Sequence, residues 1–123
     1  MCLATALIAA ALAMSATTTS GRAVEAPFEG RLMRLAEVLG SLHYLRNLCG
    51  EKGNRWRAQM EKLLEVEKPD EKRRARFVAS FNRGYRTFDE IYATCTASAT
   101  EAISRYMSEG EALSREIAGR YGN

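Results

Sequence analysis

Residues 78–106 carry nine apolar or aromatic side chains in unbroken alternating steps of three and four: Val78, Phe81, Tyr85, Phe88, Tyr92, Cys95, Ala99, Ala102 and Tyr106. Such steps fall on one face of an α-helix and on no face of a strand. Phe77, Ile91 and Ile103 widen the stripe. The spacing predicts one long helix from about residue 70 to Gly110, with Gly84 as an interior breaker that permits a bend. An earlier stretch repeats the signature. Phe28, Leu32, Leu35, Leu39, Leu42 and Cys49 share a face, with Val38, Leu45 and Leu48 beside them and Arg31, Arg34, Glu37, Ser41 and Arg46 opposite. Gly50 is placed to stop that helix in left-handed backbone. Asn54 is placed to cap a shorter helix bearing Trp56, Met60, Leu63 and Leu64. Pro69, Asp70 and Glu71 suit the first turn of the next. Leu113 and Ile117 imply a short last segment. No run alternates with the period of a strand. The expected fold is all-α, a small antiparallel bundle of three to four helices, one of them long.

Residues 2–16 hold no charge and are mostly Ala, Leu and Ile. The run is shorter than the roughly 18 to 20 apolar residues that cross a bilayer, and its length suits the apolar region of a secretory signal peptide. Cleavage is expected after Ala23 or after Ala26, where Pro27 disfavours the second bond. No Lys or Arg precedes the run, so the usual basic opening is missing and a true start upstream is expected. Cys2 lies inside the run and outside any lipoprotein signal. The expected organisation is a signal peptide over 1–26 and a single helical domain over 27–123. That domain holds 97 residues and keeps the net charge of +3.

Processing leaves two of the three cysteines, Cys49 and Cys95. An oxidising compartment permits them to pair. Their 45 intervening residues would close a loop whose entropy is worth roughly 4 kcal/mol to the folded state, against a total of about 5–15 kcal/mol for a domain. A redox-active pair lacks the CxxC spacing, and two free thiols in a reducing compartment is the remaining reading. One long third helix puts Cys95 about 25 residues, or roughly 37 Å, from its start. A straight up-down-up bundle then separates the sulfurs, so a bend near Gly84 or an oblique second helix is expected.

Charge is uneven along the chain. Residues 46–86 carry twelve Lys and Arg against six Asp and Glu, whereas residues 89–123 carry three against six. The cationic middle contains Arg55-Trp56-Arg57, Lys72-Arg73-Arg74-Ala75-Arg76 and Asn82-Arg83-Gly84-Tyr85-Arg86. One reading is a solvated helical face whose arginines pair with Glu61, Glu65, Glu67 and Glu71. The other is an anion-facing surface, with Arg55, Trp56, Arg57, Arg83, Tyr85 and Arg86 as its candidate contacts. The only His, His43, has no acid neighbour that suggests a triad. One His and three Cys exclude a zinc finger, and no phosphate loop, GxSxG or HExxH occurs. The sequence calls for no metal and no cofactor, and export argues against nucleic acid.

Leu45-Arg46-Asn47-Leu48-Cys49, Trp56-Arg57 with Met60, and Phe81-Asn82-Arg83-Gly84-Tyr85-Arg86-Thr87-Phe88 through Tyr92 and Cys95-Thr96 resemble an uncharacterised family of small secreted proteins from alpha-proteobacteria. The resemblance spans most of residues 31–121. It implies an envelope or periplasmic setting and a two-cysteine helical fold, and it implies no activity.

The function expected is that of a periplasmic or secreted, non-enzymatic interaction module, stapled by Cys49–Cys95. Its partner would be an envelope protein or an anionic envelope component. The alternative is a ligand-binding or enzymatic pocket inside the bundle, lined by His43, Tyr85, Arg86 and Tyr92. A third reading is a homo-oligomer formed along the 78–106 seam.

Overall fold

The computed structural model describes residues 22–120. The expected signal segment lies, up to residue 21, outside the described residues. Four helices follow in order: α1 (Arg22–Leu48), α2 (Arg55–Glu67), α3 (Glu71–Asp89) and α4 (Ala97–Arg120). Their directions alternate, giving the expected all-α bundle. α1 is the hub, packing against each of the others, while α4 packs its backbone against α1 alone.

The expected long helix is two helices. α3 ends at Asp89, residues 90–96 form a loop, and α4 starts at Ala97. The apolar stripe keeps helical phase across that loop for reasons unrelated to helix. Tyr92 stacks on Phe88 with ring centroids 6.2 Å apart, and Cys95 is there to form a disulfide. Thr96 supplies the break. Its Oγ1 accepts the Ala99 N–H at 3.1 Å, an N-cap for α4. The Thr-rich segment was expected to be helical throughout. A threonine hydroxyl that competes for backbone N–H groups explains why its first part is not. α4 then runs through Gly110 without interruption.

Two further details differ from expectation. Within α3 the inward face is Phe77, Ser80, Phe81, Gly84 and Phe88, and Val78 is turned out, 40% exposed. Ile91, in the loop, is 61% exposed. Asn54 stands at the N-cap of α2, but its side chain makes no capping bond. The α1–α2 loop is instead held by Asn47. Its Nδ2 donates to the carbonyls of His43 (2.7 Å) and Gly53 (3.2 Å), and its Oδ1 accepts the Gly53 N–H at 3.1 Å. Gly50 has φ 105°, as a glycine stop requires. Asp70 caps α3, its carboxylate accepting the Arg73 N–H at 2.8 Å.

The core is a single cluster. Leu32, Val38, Leu42 and Leu45 of α1 and Phe77 of α3 are almost fully buried. Such side chains contribute about 1.5–3 kcal/mol each. The tightest crossing joins α1 to α3, which run parallel: Glu29 meets Arg73 near their starts and Tyr44 meets Tyr85 towards their ends. A Cβ on Gly40 would overlap the Phe81 carbonyl, and one on Gly84 would overlap that of Glu37. Gly84 is therefore a point of backbone contact inside an unbroken helix, where a bend was expected. The Ser41 hydroxyl reaches the carbonyls of Glu37 (3.0 Å) and Gly84 (3.2 Å) across this crossing.

Because α1 and α3 are parallel, their C-terminal ends share one pole of the bundle. Cys49 follows α1 and Cys95 lies in the loop after α3, and the two form a disulfide with Cα atoms 5.0 Å apart. Early termination of α3, with no bend at Gly84, removes the expected 37 Å overshoot. Among the described residues, no helix is long and apolar enough to cross a membrane.

Candidate functional site

The structure uses its arginines in two ways. One set ties helices together. The Arg34 guanidinium forks onto the Glu109 carboxylate of α4, with Nη2 at 2.9 Å from Oε1, while Arg31 reaches Glu116 at 2.8 Å. Arg73 joins α3 to Glu29 of α1 (2.8 Å) and to Glu67 of α2 (3.3 Å). Arg83 reaches Glu37 at 3.3 Å, and Arg46 holds Glu51 at 2.6 Å. The carboxyl of Glu29 is held below its ordinary range, chiefly by its hydrogen bonds from Arg73. Acidic α4 thus finds its counter-charge on α1, and part of the sequence's charge asymmetry is spent inside the fold.

The second set is not spent this way. Arg55, Arg57, Arg74 and Arg86, and on α4 Arg105 and Arg115, are exposed, and none makes an ion pair among the described residues. Arg55 lays its guanidinium over the Trp56 ring, 5.1 Å from the centroid.

The six residues expected at a partner surface divide among several faces. Arg55 and Trp56 line a cavity of about 400 Å³ between α2 and α4, floored by Leu35, Leu39 and Leu42 of α1. Arg57 looks the other way, into a cleft of about 200 Å³ between α2 and α3 that it shares with Glu61, Arg74, Val78 and Asn82. Arg83 sits on the flank of α3 facing Glu37, Arg86 points outward, and Tyr85 packs inward. Tyr85 meets Tyr44 edge-on at 5.2 Å and His43 at 5.8 Å.

The residues of the alternative pocket also separate. His43, Tyr44 and Tyr85 form an aromatic cluster beside Phe81. The Tyr44 hydroxyl donates to the Tyr92 carbonyl. Arg86 stands outside this cluster, exposed. Neither the 400 Å³ cavity nor the 200 Å³ cleft takes His43, Tyr85, Arg86 or Tyr92 into its lining. Burial, with the nearby Arg57 cation, holds the His43 imidazole below its ordinary range, and its Nδ1 is buried with no hydrogen-bond partner. The seam proposed for self-association is spent on the chain's own core: Phe81, Phe88, Ala99 and Ala102 are buried. No group of three or more His, Cys, Asp and Glu side chains arranged to hold a metal occurs among the described residues.

Sequence reasoning missed the α2–α4 opening. A second cavity of about 210 Å³ continues it along the same floor, sharing Leu35, Leu39, Gln59 and Ser114 and ending at Val66 and Ile117. The available signal was Val66, an apolar residue that no stripe absorbed and that is 62% exposed.

The sequence profile of a family described as "Protein of unknown function (DUF2385)" matches residues 27–121. The chain belongs to this family. No curated protein and no solved structure matches it. The matched span covers α2, α3, α4 and α1 from Pro27 onward, so all of the buried core and the disulfide belong to the family's domain.

Proposed function

We propose that this family member is an exported, non-enzymatic helical interaction module that engages an acidic protein partner through the outer face of α2 and α3. The observation that carries the reading is the unequal use of arginine. Among the described residues, Arg31, Arg34, Arg46, Arg73 and Arg83 are committed to carboxylates, while Arg57 and Arg74 share the α2–α3 cleft without an ion pair and Arg86 is exposed nearby on α3; Arg105 and Arg115 of α4 are exposed and unpaired as well, but stand apart from one another among the acidic residues of that helix. Uncompensated cations on one side of a small domain attract anionic surfaces and speed their encounter. Arg55 and Trp56 line the α2–α4 opening on the other side of α2, and Arg83 and Tyr85 face α1.

Export is supported by three features. The first is the uncharged run at residues 2–16. The second is the Cys49–Cys95 disulfide, a bond of oxidising compartments. The third is a family match that starts at residue 27, the residue after the second expected cleavage bond.

The test is photo-crosslinking in the cell. A photoreactive residue at position 57 or 86 is expected to give one discrete protein adduct, and one at exposed position 105 on α4 to give none. Reversing Arg57 and Arg86 to Glu is expected to abolish the adduct with an unchanged thermal melt. An undiminished adduct rejects this face. Binding of the wild-type protein to anionic vesicles, with no protein adduct, moves the assignment to a lipid surface. Mass measurement of the protein from the periplasmic fraction is expected to give a chain that starts at residue 24 or 27.

A further inference from the structure

α2 and α4 both rest on α1 but do not pack their backbones against each other. The space between them is the elongated opening described above. Its floor is Leu35, Leu39 and Leu42, and its walls are Trp56 and Leu63 on one side and Met107 and Ile117 on the other. The larger part, at about 400 Å³, falls within the roughly 300–1,000 Å³ of small-molecule sites. The two parts follow α2 from Arg55 to Val66, eleven residues or about 16 Å at the helical rise. An opening this long and this small in volume fits an extended chain and is too narrow for a helix of about 10 Å diameter.

The groove carries charged residues at both ends, Arg55, Glu111 and Arg115 at one and Lys62 and Glu67 at the other. At its Arg55 end stand an unpaired guanidinium and the N-terminus of α2, whose first turn carries no acidic residue and whose Asn54 makes no side-chain cap. Both favour negative charge there. Trp56 stands beside this guanidinium. It is 8% exposed and forms part of the wall, and its indole N–H, enclosed behind that wall, has no acceptor. The aromatic ring adds apolar surface to the groove at its charged end. Arg115 and Glu111 lie on the opposite rim, so the charged residues around this part of the groove sum to a net positive charge. The far end is closed by Leu63, Val66 and Ile117, with Lys62 and Glu67 at its edge. Glu67 is engaged by Arg73 and Arg120.

We propose that the α2–α4 groove binds a free single-chain amphiphile, its acyl chain lying along Leu42, Leu39 and Leu35 and its terminal carboxylate at Arg55. The opening has room for one chain, which argues for a free fatty acid over a two-chain lipid. This site is separate from the outer face of α2 and α3, and it stands whether or not that face has a partner.

The chain has a single Trp, so intrinsic fluorescence reports on the groove without labelling. Titration of the disulfide-bonded protein with dodecanoate is expected to shift Trp56 emission and to saturate below the concentration at which micelles form. Dodecanol, with the same chain and no charge, is expected to bind about 10-fold more weakly, the loss of one charge-assisted hydrogen bond. Arg55→Glu is expected to erase that difference. Ser114→Phe changes an exposed residue at the junction of the two cavities, and it is expected to abolish both titrations with the circular dichroism spectrum unchanged.

Fatty acids carrying a nitroxide give the orientation. Quenching of Trp56 is expected to be strongest with the label near the carboxylate and weakest with the label at the chain end. A response that appears only with micelles, survives Ser114→Phe or is equal for dodecanol overturns the proposal. So does quenching that is independent of label position.

Discussion

Against α3, α1 brings Gly40 and Ser41 so close that the two backbones touch; against α2 and α4 it presents Leu35, Leu39 and Leu42, which face a gap. The two sides are different faces of α1, Glu37, Gly40 and Ser41 on one and the leucines on the other, and they differ also in what the partners offer. α3 supplies Gly84 where the crossing needs no side chain, and the helices close to contact. α4 supplies Gly110 on its groove side, but α2 stands too far off to profit, and the glycine lines a cavity. A small residue therefore tightens one interface and opens another, depending on whether a second backbone is there to fill the space.

The same substitution should act in opposite directions on the two sides. The largest effect is expected from Gly40→Ala with Gly84→Ala. Each alone forces a methyl into a backbone carbonyl and should cost about 3 kcal/mol or more. Together they should remove a large part of the roughly 5–15 kcal/mol of a domain, leaving no cooperative urea transition. Next comes the pole of the bundle. Cys49→Ser with Cys95→Ser should lower stability by about 2–4 kcal/mol, read as a fall in urea midpoint. A thiol titration of the unfolded wild-type protein is expected to show no reactive Cys49 or Cys95 before reduction.

Gly110→Ala should do the reverse of Gly84→Ala. Its Cβ would sit 3.4 Å from a Val38 methyl, close but beside a flexible side chain. Alanine also gains up to about 1 kcal/mol over glycine within a helix. A small rise in melting temperature is the expected outcome, and destabilisation comparable to Gly84→Ala would refute the contrast.

The smallest effect is expected at His43, on the packed side. Its folded pKa is lowered, by burial first and then by Arg57, so the unfolded chain takes up the proton first. Its stability contribution is complete above the unfolded value of about 6.5 and declines as pH falls below it. His43→Gln should flatten the fall in urea midpoint between pH 7.5 and 5. The loss at still lower pH should persist, because Glu29, whose carboxyl is lowered, contributes above its unfolded value and loses that contribution only when protonated.

Much of the fold was legible. The stripe of α1, its stop at Gly50 and the Pro69-Asp70 start of α3 follow from local rules of helix chemistry. The break at 90–96 was not, because periodicity counts apolar positions and is blind to why each is apolar. Tyr92 and Cys95 hold phase by coincidence, and Thr96 was the one local sign of a new helix. The same blindness moved the inward face of α3 from Phe77 to Val78, one residue along. The grooves around α2 were illegible for another reason: a gap is the failure of two helices to meet, and no single residue states it. The charge runs were visible, yet which arginines would be committed was not. That depends on Glu29, Glu37 and Glu109, brought near by tertiary packing.

α4 packs its backbone only on α1, and its N-terminal end lies two residues past a cysteine bonded to the end of that same helix. Opening α4 means losing that interface together with two side-chain contacts, Tyr106 on Phe88 of α3 and Arg120 on Glu67 of α2. The disulfide does not prevent such opening, but it fixes the outcome. The N-terminal end of a detached α4 stays within a few ångströms of its docking site, while the far end of the helix, about 36 Å away, is free to swing. Re-docking is intramolecular in any case; the disulfide narrows its search to a rotation about one pole, and α4 behaves as a hinged leaf over the groove.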